Sequence, residues 1–162
     1  MNKTVYDDII IRSAERDDMS KIVKMAAEFV DYLSSLGEPR ANFDAETNLE
    51  KLLKHGFGAK PLFSTLIAEN NGDAVGYAIY SYGFWADSFQ GTIFMTDLFV
   101  RQTWRSQGIG QIMIEELQHI GRNNDCELLM WTVWNDNSLA RKFYDKLGAI
   151  SLDDEIFMKL DI

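Results

Sequence analysis

The feature that most constrains this chain is a hand-over from one structural period to another. A strand-like apolar run at 92–100 passes, after four residues, into Arg105-Ser106-Gln107-Gly108-Ile109-Gly110, and a helical pattern starts on that segment. Met113, Leu117 and Ile120 continue the spacing begun at Ile109, and Gly121 with Asn123-Asn124 supplies the stop. A strand that runs through a glycine-bearing turn into a helix leaves several backbone N–H groups without acceptors at the helix N-terminus, where the macrodipole favours an anion. Glycine there lets a ligand's phosphates approach the backbone closely. The segment is not the phosphate loop of nucleotide triphosphatases, since no Gly-Lys-Ser/Thr follows. Nor is it the dinucleotide fingerprint, since no third glycine stands at the required spacing. On these residues alone, an ordinary glycine-rich turn stays open as the alternative.

The flanking sequence predicts the rest of an α/β chain. Ile9-Ile10-Ile11-Arg12 is a β-branched run, and the spacing Ile22, Met25, Ala26, Phe29, Val30, Leu33 predicts an amphipathic helix capped by Asp17 or Asp18 and ended by Gly37-Glu38-Pro39. A second helix is expected over 45–55. Leu66-Ile67-Ala68-Glu69, the polar turn Asn70-Asn71-Gly72-Asp73 and the run 75–82 read as a hairpin, and 92–100 extends it into a three-strand meander. Between the last two strands, residues 83–91 read as a glycine-bounded loop whose Phe84, Trp85 and Phe89 line a pocket. A strand at 128–134, a helix at 138–147 ended by Gly148 and a last strand at 156–160 complete the order. No repeat, low-complexity stretch or linker marks a boundary, so 1–162 is expected to form one domain.

Charge and cysteine content narrow the function classes. The formal net charge of −9 repels a phosphate backbone and favours cationic ligands, which disfavours nucleic-acid partners. No apolar run approaches the roughly 18 residues needed to cross a bilayer, and the first residues lack a basic-then-apolar pattern, so a soluble, cytoplasmic protein with no membrane partner is expected. The single cysteine, Cys126, has no partner in the chain and suits a reducing compartment and a place in the core. His55 and His119 have no companions at metal-ligand spacing, and no metal is expected.

The chain resembles the GNAT superfamily of acetyltransferases. Its Arg/Gln-x-x-Gly-x-Gly/Ala signature matches Arg105, Gly108 and Gly110, and its second element matches Asn137-Ser138-Leu139-Ala140-Arg141-Lys142-Phe143-Tyr144, continued by Lys146-Leu147-Gly148-Ala149. Order and spacing agree over nearly the whole chain. Asp97-Leu98-Phe99-Val100 and Trp134-Asn135 look like the diamine and polyamine (spermidine/spermine) branch. That branch ends its central strand with Glu-Asp, whereas here Thr96 stands in place of the glutamate and removes the usual general-base carboxylate. It also commonly has glycine where Ser106 stands.

The resemblance implies a mixed, mostly antiparallel sheet splayed at its central strand, with helices on both faces, and a direct acetyl transfer from acetyl-CoA to a primary amine of a small cationic molecule such as a polyamine, diamine or lysine-like amino acid. It implies that the backbone of Leu98, Phe99 and Val100 holds the pantetheine arm, and that Arg105, Ser106, Gln107, Gly108, Ile109, Gly110 and Gln111 bind the pyrophosphate. Asn137 and Ala140 are implied as further cofactor contacts, with a helix N-cap as the other reading of Asn137. Tyr144 is implied as the general acid for the departing thiolate; packing beside Phe143 is its alternative. Strand alternation puts Asp97 on the face of Ile93, Met95 and Phe99, an odd place for a carboxylate unless a cation meets it, so Asp97 is expected to orient the ammonium or to take its proton through a water, with a structural acid accepting backbone or arginine hydrogen bonds as the other reading. Phe84, Trp85 and Asp87 are expected substrate contacts, with core packing or a dimer contact as the other reading of the aromatics and Asp87 as the alternative to Asp97 for receiving the proton through a water. Many relatives pair, so a homodimer is expected. Peptide acetylation and non-catalytic acyl-CoA sensing stand as the other readings.

Overall fold

The computed structural model describes residues 3–6, 8–39, 42–153 and 155–162. They form two compact units, Met1–Thr132 and Val133–Ile162. In the first unit the elements run β1 (Lys3–Tyr6), β2 (Ile9–Ser13), α1 (Met19–Ser35), α2 (Ala45–Phe57), β3 (Ser64–Asn70), β4 (Asp73–Trp85), β5 (Gln90–Val100), α3 (Ile109–Arg122) and β6 (Cys126–Trp131). The six strands lie in chain order in one sheet, antiparallel throughout except for the parallel pair β5 and β6. A parallel pair needs a crossover, and α3 is that crossover.

The sheet is covered on both faces, which is the expected mixed α/β architecture. On one face Met19, Ile22 and Met25 of α1 pack on Ile67, Tyr77 and Phe99, with Leu49, Leu52, Leu53 and Phe57 of α2 beside them. On the other lies α3, whose Ile109, Met113, Ile114 and Leu117 are buried. Gly76 marks how close α3 comes: a Cβ built there would lie 3.5 Å from the Met113 sulfur and 2.8 Å from the Phe99 carbonyl oxygen. Neighbouring strand residues face opposite sides, so Gly76 serves the α3 face and Tyr77 the α1 face.

An ionic cluster ties the start of α1 to the sheet. Arg12 on β2 bonds both oxygens of Asp18, at 2.6 and 3.0 Å, and both oxygens of Glu69 on β3, at 2.9 Å each. Lys21 reaches Glu69 at 3.1 Å and Asp18 at 3.6 Å. Two cations therefore meet two nearly buried carboxylates. The Arg12 hydrogen bonds hold the Asp18 carboxyl below its ordinary range. Burial pushes the Glu69 carboxyl up, but its bonds to Arg12 and Lys21 outweigh that and leave it lowered as well. Asp18, expected as a helix cap, instead spends its side chain on Arg12 and on the backbone N–H of Glu15, 2.8 Å away.

Three local expectations need correction. Residues 83–91 are not a loop: β4 runs to Trp85 and β5 begins at Gln90, leaving a four-residue turn at 86–89. Aromatic and β-branched residues extended the ladder through Gly83 and Gly91, which pair with Thr92 and Phe84. Cys126 is half-buried at the start of β6 and does not belong to the core. Lys3–Tyr6 forms a strand, β1, that hydrophobic pattern did not announce; its pairing with β2 supplies the structure instead.

The second unit contains α4 (Ser138–Lys146). Asn137 caps it by accepting the Ala140 N–H at 3.1 Å, and Gly148 follows its end with φ +80°. The expected strand at 156–160 does not form; residues 156–160 are irregular. Apolar alternation sets which way side chains point, but a strand also needs a neighbouring backbone for its N–H and C=O groups.

Candidate functional site

The loop between β5 and α3 is held in place by the side chain of Arg105. Its Nε donates to the Val100 carbonyl oxygen at 2.9 Å, and its guanidinium lies 4.4 Å from the centre of the Tyr32 ring and 5.6 Å from that of Phe99. One cation therefore pins the loop to the strand it leaves and to α1. Ser106 and Gly108 both adopt left-handed backbone, at φ +62° and +83°. Gly108 occupies the N-cap position of α3, contributes no capping side chain and has open space where a Cβ would sit. The N–H groups of the first turn, from Ile109, Gly110 and Gln111, follow with no intrahelical acceptor. Gln107 and Gln111 direct their amides elsewhere, to the Thr103 carbonyl at 3.1 Å and to Glu115 at 2.9 Å. An exposed, uncapped helix start with its dipole facing outward suits a diphosphate, so the pyrophosphate of an acyl-CoA fits this loop.

Upstream of the loop, a β-bulge reshapes β5. Ile79 pairs with Asp97 but Tyr80 pairs with Met95, so Thr96 is the extra residue. Its hydroxyl bonds the Ile79 carbonyl oxygen at 3.3 Å. The bulge reverses the alternation: Ile93 and Met95 are buried on the α3 side, whereas Asp97 and Phe99 face α1 and α2. Asp97 thus does not share a face with Ile93 and Met95, as simple alternation has it. The β5–β6 ladder also stops at Met95 and Trp131, while β4–β5 pairing continues to Gly76 and Val100. Leu98, Phe99 and Val100 therefore have a ladder neighbour in β4 and none in β6, which is the splay expected at the central strand.

Turned to the α1 side, Asp97 lines a cavity of about 250 Å³ between the two helices and the sheet. Ile22, Val23, Ala26, Leu52, Phe43, Phe63 and Ile79 give it apolar walls, and Asn48, Lys51 and His55 of α2 complete a lining that is almost wholly apolar. The fully buried Tyr77 places its hydroxyl 3.3 Å from Asp97 Oδ2, where it donates to the carboxylate and fixes its direction. A carboxylate among apolar side chains, open to a small cavity and oriented by a phenol, is equipped to hold an ammonium group or to accept its proton.

The remaining expected site residues are dispersed. Phe84, Trp85 and Asp87 sit at the tip of the β4–β5 hairpin, where the exposed Phe84 and Phe89 pack edge to face with centroids 6.2 Å apart. Phe84 pairs with Gly91, six residues before Asp97 on β5, so the tip lies roughly 20 Å from Asp97 at 3.3 Å per residue. None of the three lines the Asp97 cavity. In the second unit Asn137, Ala140 and Tyr144 follow one another at spacings of three and four, which places them on one face of α4. The Tyr144 ring lies 5.1 Å from that of Phe143. Sequence reasoning missed Tyr32 as the partner of Arg105, Tyr77 as that of Asp97, and the polar face of α2. For the last a signal existed: Asn48, Lys51, Leu52 and His55 recur at helical spacing on a helix whose other apolar residues face the core.

The family model of the acetyltransferase (GNAT) family matches residues 26–149. The chain belongs to the GNAT family. It is 32% identical over 166 residues to human spermidine/spermine N(1)-acetyltransferase-like protein 1, covering 96% of this chain and 22% of that protein. It is 27% identical over 156 residues to bovine thialysine N-epsilon-acetyltransferase, covering 90% of this chain and 86% of the relative. The chain thus spans about a fifth of the human relative and most of the bovine one. Among solved structures, an integron cassette protein from the mobile metagenome of V. cholerae superposes with a TM-score of 0.78 at 25% identity, covering 96% and 94% of the two chains. A possible acetyltransferase from Clostridium difficile 630 reaches the same TM-score at 17% identity, covering 96% and 99%, and supports the GNAT fold. No described helix is long and apolar enough to cross a membrane.

Proposed function

We propose that this GNAT chain is an N-acetyltransferase that moves the acetyl group of acetyl-CoA directly to a primary amine of a small cationic acceptor, and that its two units work as one catalytic domain. The observation that carries the reading is the bulge at Thr96, which turns Asp97 into a cavity while its strand leads on to the loop suited to a diphosphate. The family match supports the single domain, because it runs through the boundary after Thr132. The names of the human and bovine relatives, which cite spermidine/spermine and thialysine, support a small amine acceptor.

In this reading Ser106, Gly108 and the first-turn N–H groups of α3 hold the pyrophosphate, and Arg105 keeps that loop in shape. The backbone of Leu98, Phe99 and Val100 receives the pantetheine arm, and Asn137 and Ala140 contact the cofactor from α4. Acetyl-CoA supplies an activated acetyl thioester. Asp97 orients the acceptor's ammonium group and takes its proton, directly or through a water, in place of the glutamate that Thr96 lacks. Tyr144 returns a proton to the departing thiolate, the part a positioned phenol takes in general-acid catalysis.

The test is a coenzyme A release assay over polyamines, diamines, amino acids and short peptides, with Tyr144→Phe alongside and the oligomeric state followed by light scattering. Turnover of small amines, with kcat reduced about a hundredfold or more in the variant, is the expected result. Acetyl-CoA binding without turnover of any acceptor refutes catalysis in favour of sensing, and turnover of peptides alone refutes the small acceptor.

A further inference from the structure

The Asp97 cavity offers a ligand one carboxylate and almost nothing else that is polar. Val23 and Ala26 of α1, Leu52 of α2, Ile79 of β4 and the rings of Phe43 and Phe63 form its walls. Asn48, Lys51 and His55 also line it, yet the lining stays almost wholly apolar, so these side chains present little polar surface to the space. Asp97 is the one acidic residue in the lining, and the Tyr77 hydroxyl lies 3.3 Å from its Oδ2. A glycine of α2 seats the Phe63 wall. A Cβ on Gly56 would lie 2.9 Å from two carbons of the Phe63 ring, and the Leu62 N–H, next in the chain, donates to the His55 carbonyl oxygen at 2.7 Å.

Such a lining discriminates among amines by what their chains carry. An ammonium at Asp97 gains a charged partner. A second ammonium on the same short chain would lie among apolar side chains with no further carboxylate in the lining, and burying an unpaired charge is costly. The overall charge of −9 speeds the approach of any cation but supplies no counter-charge inside the cavity. A hydrocarbon body has the opposite balance, because each methylene it buries strengthens binding. Size agrees with this. An apolar cavity of about 150 Å³ takes up benzene. The volume here, about 250 Å³, therefore has room for a chain of about six carbons leading to the nitrogen.

We propose that the acceptor is a monoamine with an apolar body, whose single ammonium meets Asp97. The assignment rests on the acetyltransferase reading and narrows it to one charge, at the reacting end. It departs from the polyamines and thialysine in the relatives' names, whose second polar end this lining does not serve. Val23, Ala26, Leu52 and Phe63 are then specificity-determining residues. Asp97 takes the ammonium proton, the nitrogen forms a bond to the acetyl carbonyl carbon, the carbon–sulfur bond breaks, and the coenzyme A thiolate leaves to be protonated. The product is a neutral amide and no longer a charge partner for Asp97.

The experiment measures kcat/KM for propylamine, butylamine, pentylamine and hexylamine, with cadaverine as the diamine that matches hexylamine in length. Wild type is expected to gain about fourfold per methylene, the burial of about 0.8 kcal/mol converted at about 1.4 kcal/mol per tenfold. It is also expected to favour hexylamine over cadaverine by about tenfold or more. Ala26→Leu adds bulk to the wall, so in that variant the gain should stop at a shorter chain. Circular dichroism checks its fold, and Ala26→Met takes its place if the fold is lost. Preference for cadaverine or a flat series in wild type overturns the proposal, as does a series unchanged in the Ala26 variant. Calorimetry with coenzyme A present separates this idea from the one beneath it. Binding that strengthens with chain length, without turnover of any amine, keeps the apolar site and refutes acetyl transfer. Turnover of diamines or amino acids with no gain per methylene keeps acetyl transfer and refutes the apolar acceptor.

Discussion

Replacing Arg12 with methionine tests whether the cluster on β2, β3 and α1 is a charged, paired device. Arg12 makes four hydrogen bonds of 2.6 to 3.0 Å to Asp18 and Glu69, whose side chains are only 8% and 10% exposed. Methionine fills a similar volume and leaves both carboxylates without their main cation. Breaking a buried pair by removing one partner costs about 3–5 kcal/mol. Here Lys21 stays 3.1 Å from Glu69, and the Glu15 N–H stays on Asp18, so the expected loss lies near the lower end, about 3 kcal/mol. That is a large part of the 5–15 kcal/mol typical of a domain. In the wild type both carboxyl groups have folded pKa values below their unfolded ones, so their contribution is full above about pH 5 and drains as pH falls through the folded values. In the variant the lowering by Arg12 is gone and burial, which raises both, is opposed by less. Protonation then relieves the orphaned carboxylates, and the difference between the two proteins narrows from pH 7 to pH 4. Urea unfolding followed by tryptophan fluorescence at each pH measures it. A loss below about 1 kcal/mol at pH 7, or a loss constant from pH 7 to pH 4, refutes the reasoning.

Three further outcomes are expected. Gly108→Ala meets no atom within 4 Å but forces a Cβ into left-handed backbone at φ +83°, so stability measured by urea unfolding falls by about 1–2 kcal/mol and calorimetric affinity for acetyl-CoA falls with it. Arg105→Lys keeps the charge and loses both the Nε bond to Val100 and the guanidinium's contact with the Tyr32 ring; thermal unfolding should show a loss of about 1–2 kcal/mol, and an unchanged midpoint counts against the pinning role. Asp97→Asn should lower kcat/KM for the amine about a hundredfold and change the shape of the pH–rate profile while acetyl-CoA binding stays the same; identical profiles remove Asp97 from the chemistry.

Local order was legible in the sequence wherever a single segment carried its own instruction. The period of Ile109, Met113, Leu117 and Ile120 specifies α3 because burying one stripe of a helix requires that spacing, and the observed helix spans Ile109–Arg122. Asn71-Gly72 specifies the β3–β4 turn because both residues must be left-handed there, as they are at φ +48° and +87°. Gly108 before α3 and Asn137 before α4 mark helix starts for reasons of backbone freedom and capping. The two glycine- and asparagine-bearing motifs were enough to suggest the family, since they encode short loops whose chemistry is local.

What the tertiary structure decided depends on a partner distant in the chain. The bulge at Thr96 is a mismatch of register between β4 and β5, and no property of β5 alone announces that Asp97 leaves the face of Met95 for the cavity. Arg105 reads as a phosphate ligand in sequence, but its planar cation finds Tyr32 and Phe99 only when α1 lies over the strand end. The residues at 156–160 carry the period of a strand yet form none in the folded chain. Lys51 and His55 look like ordinary helix-surface residues until α2 brings them to the cavity that Asp97 also lines. Periodicity and capping act within a few residues of chain, so sequence fixes them; register, stacking and cavity polarity arise between segments, and only folding brings those segments together.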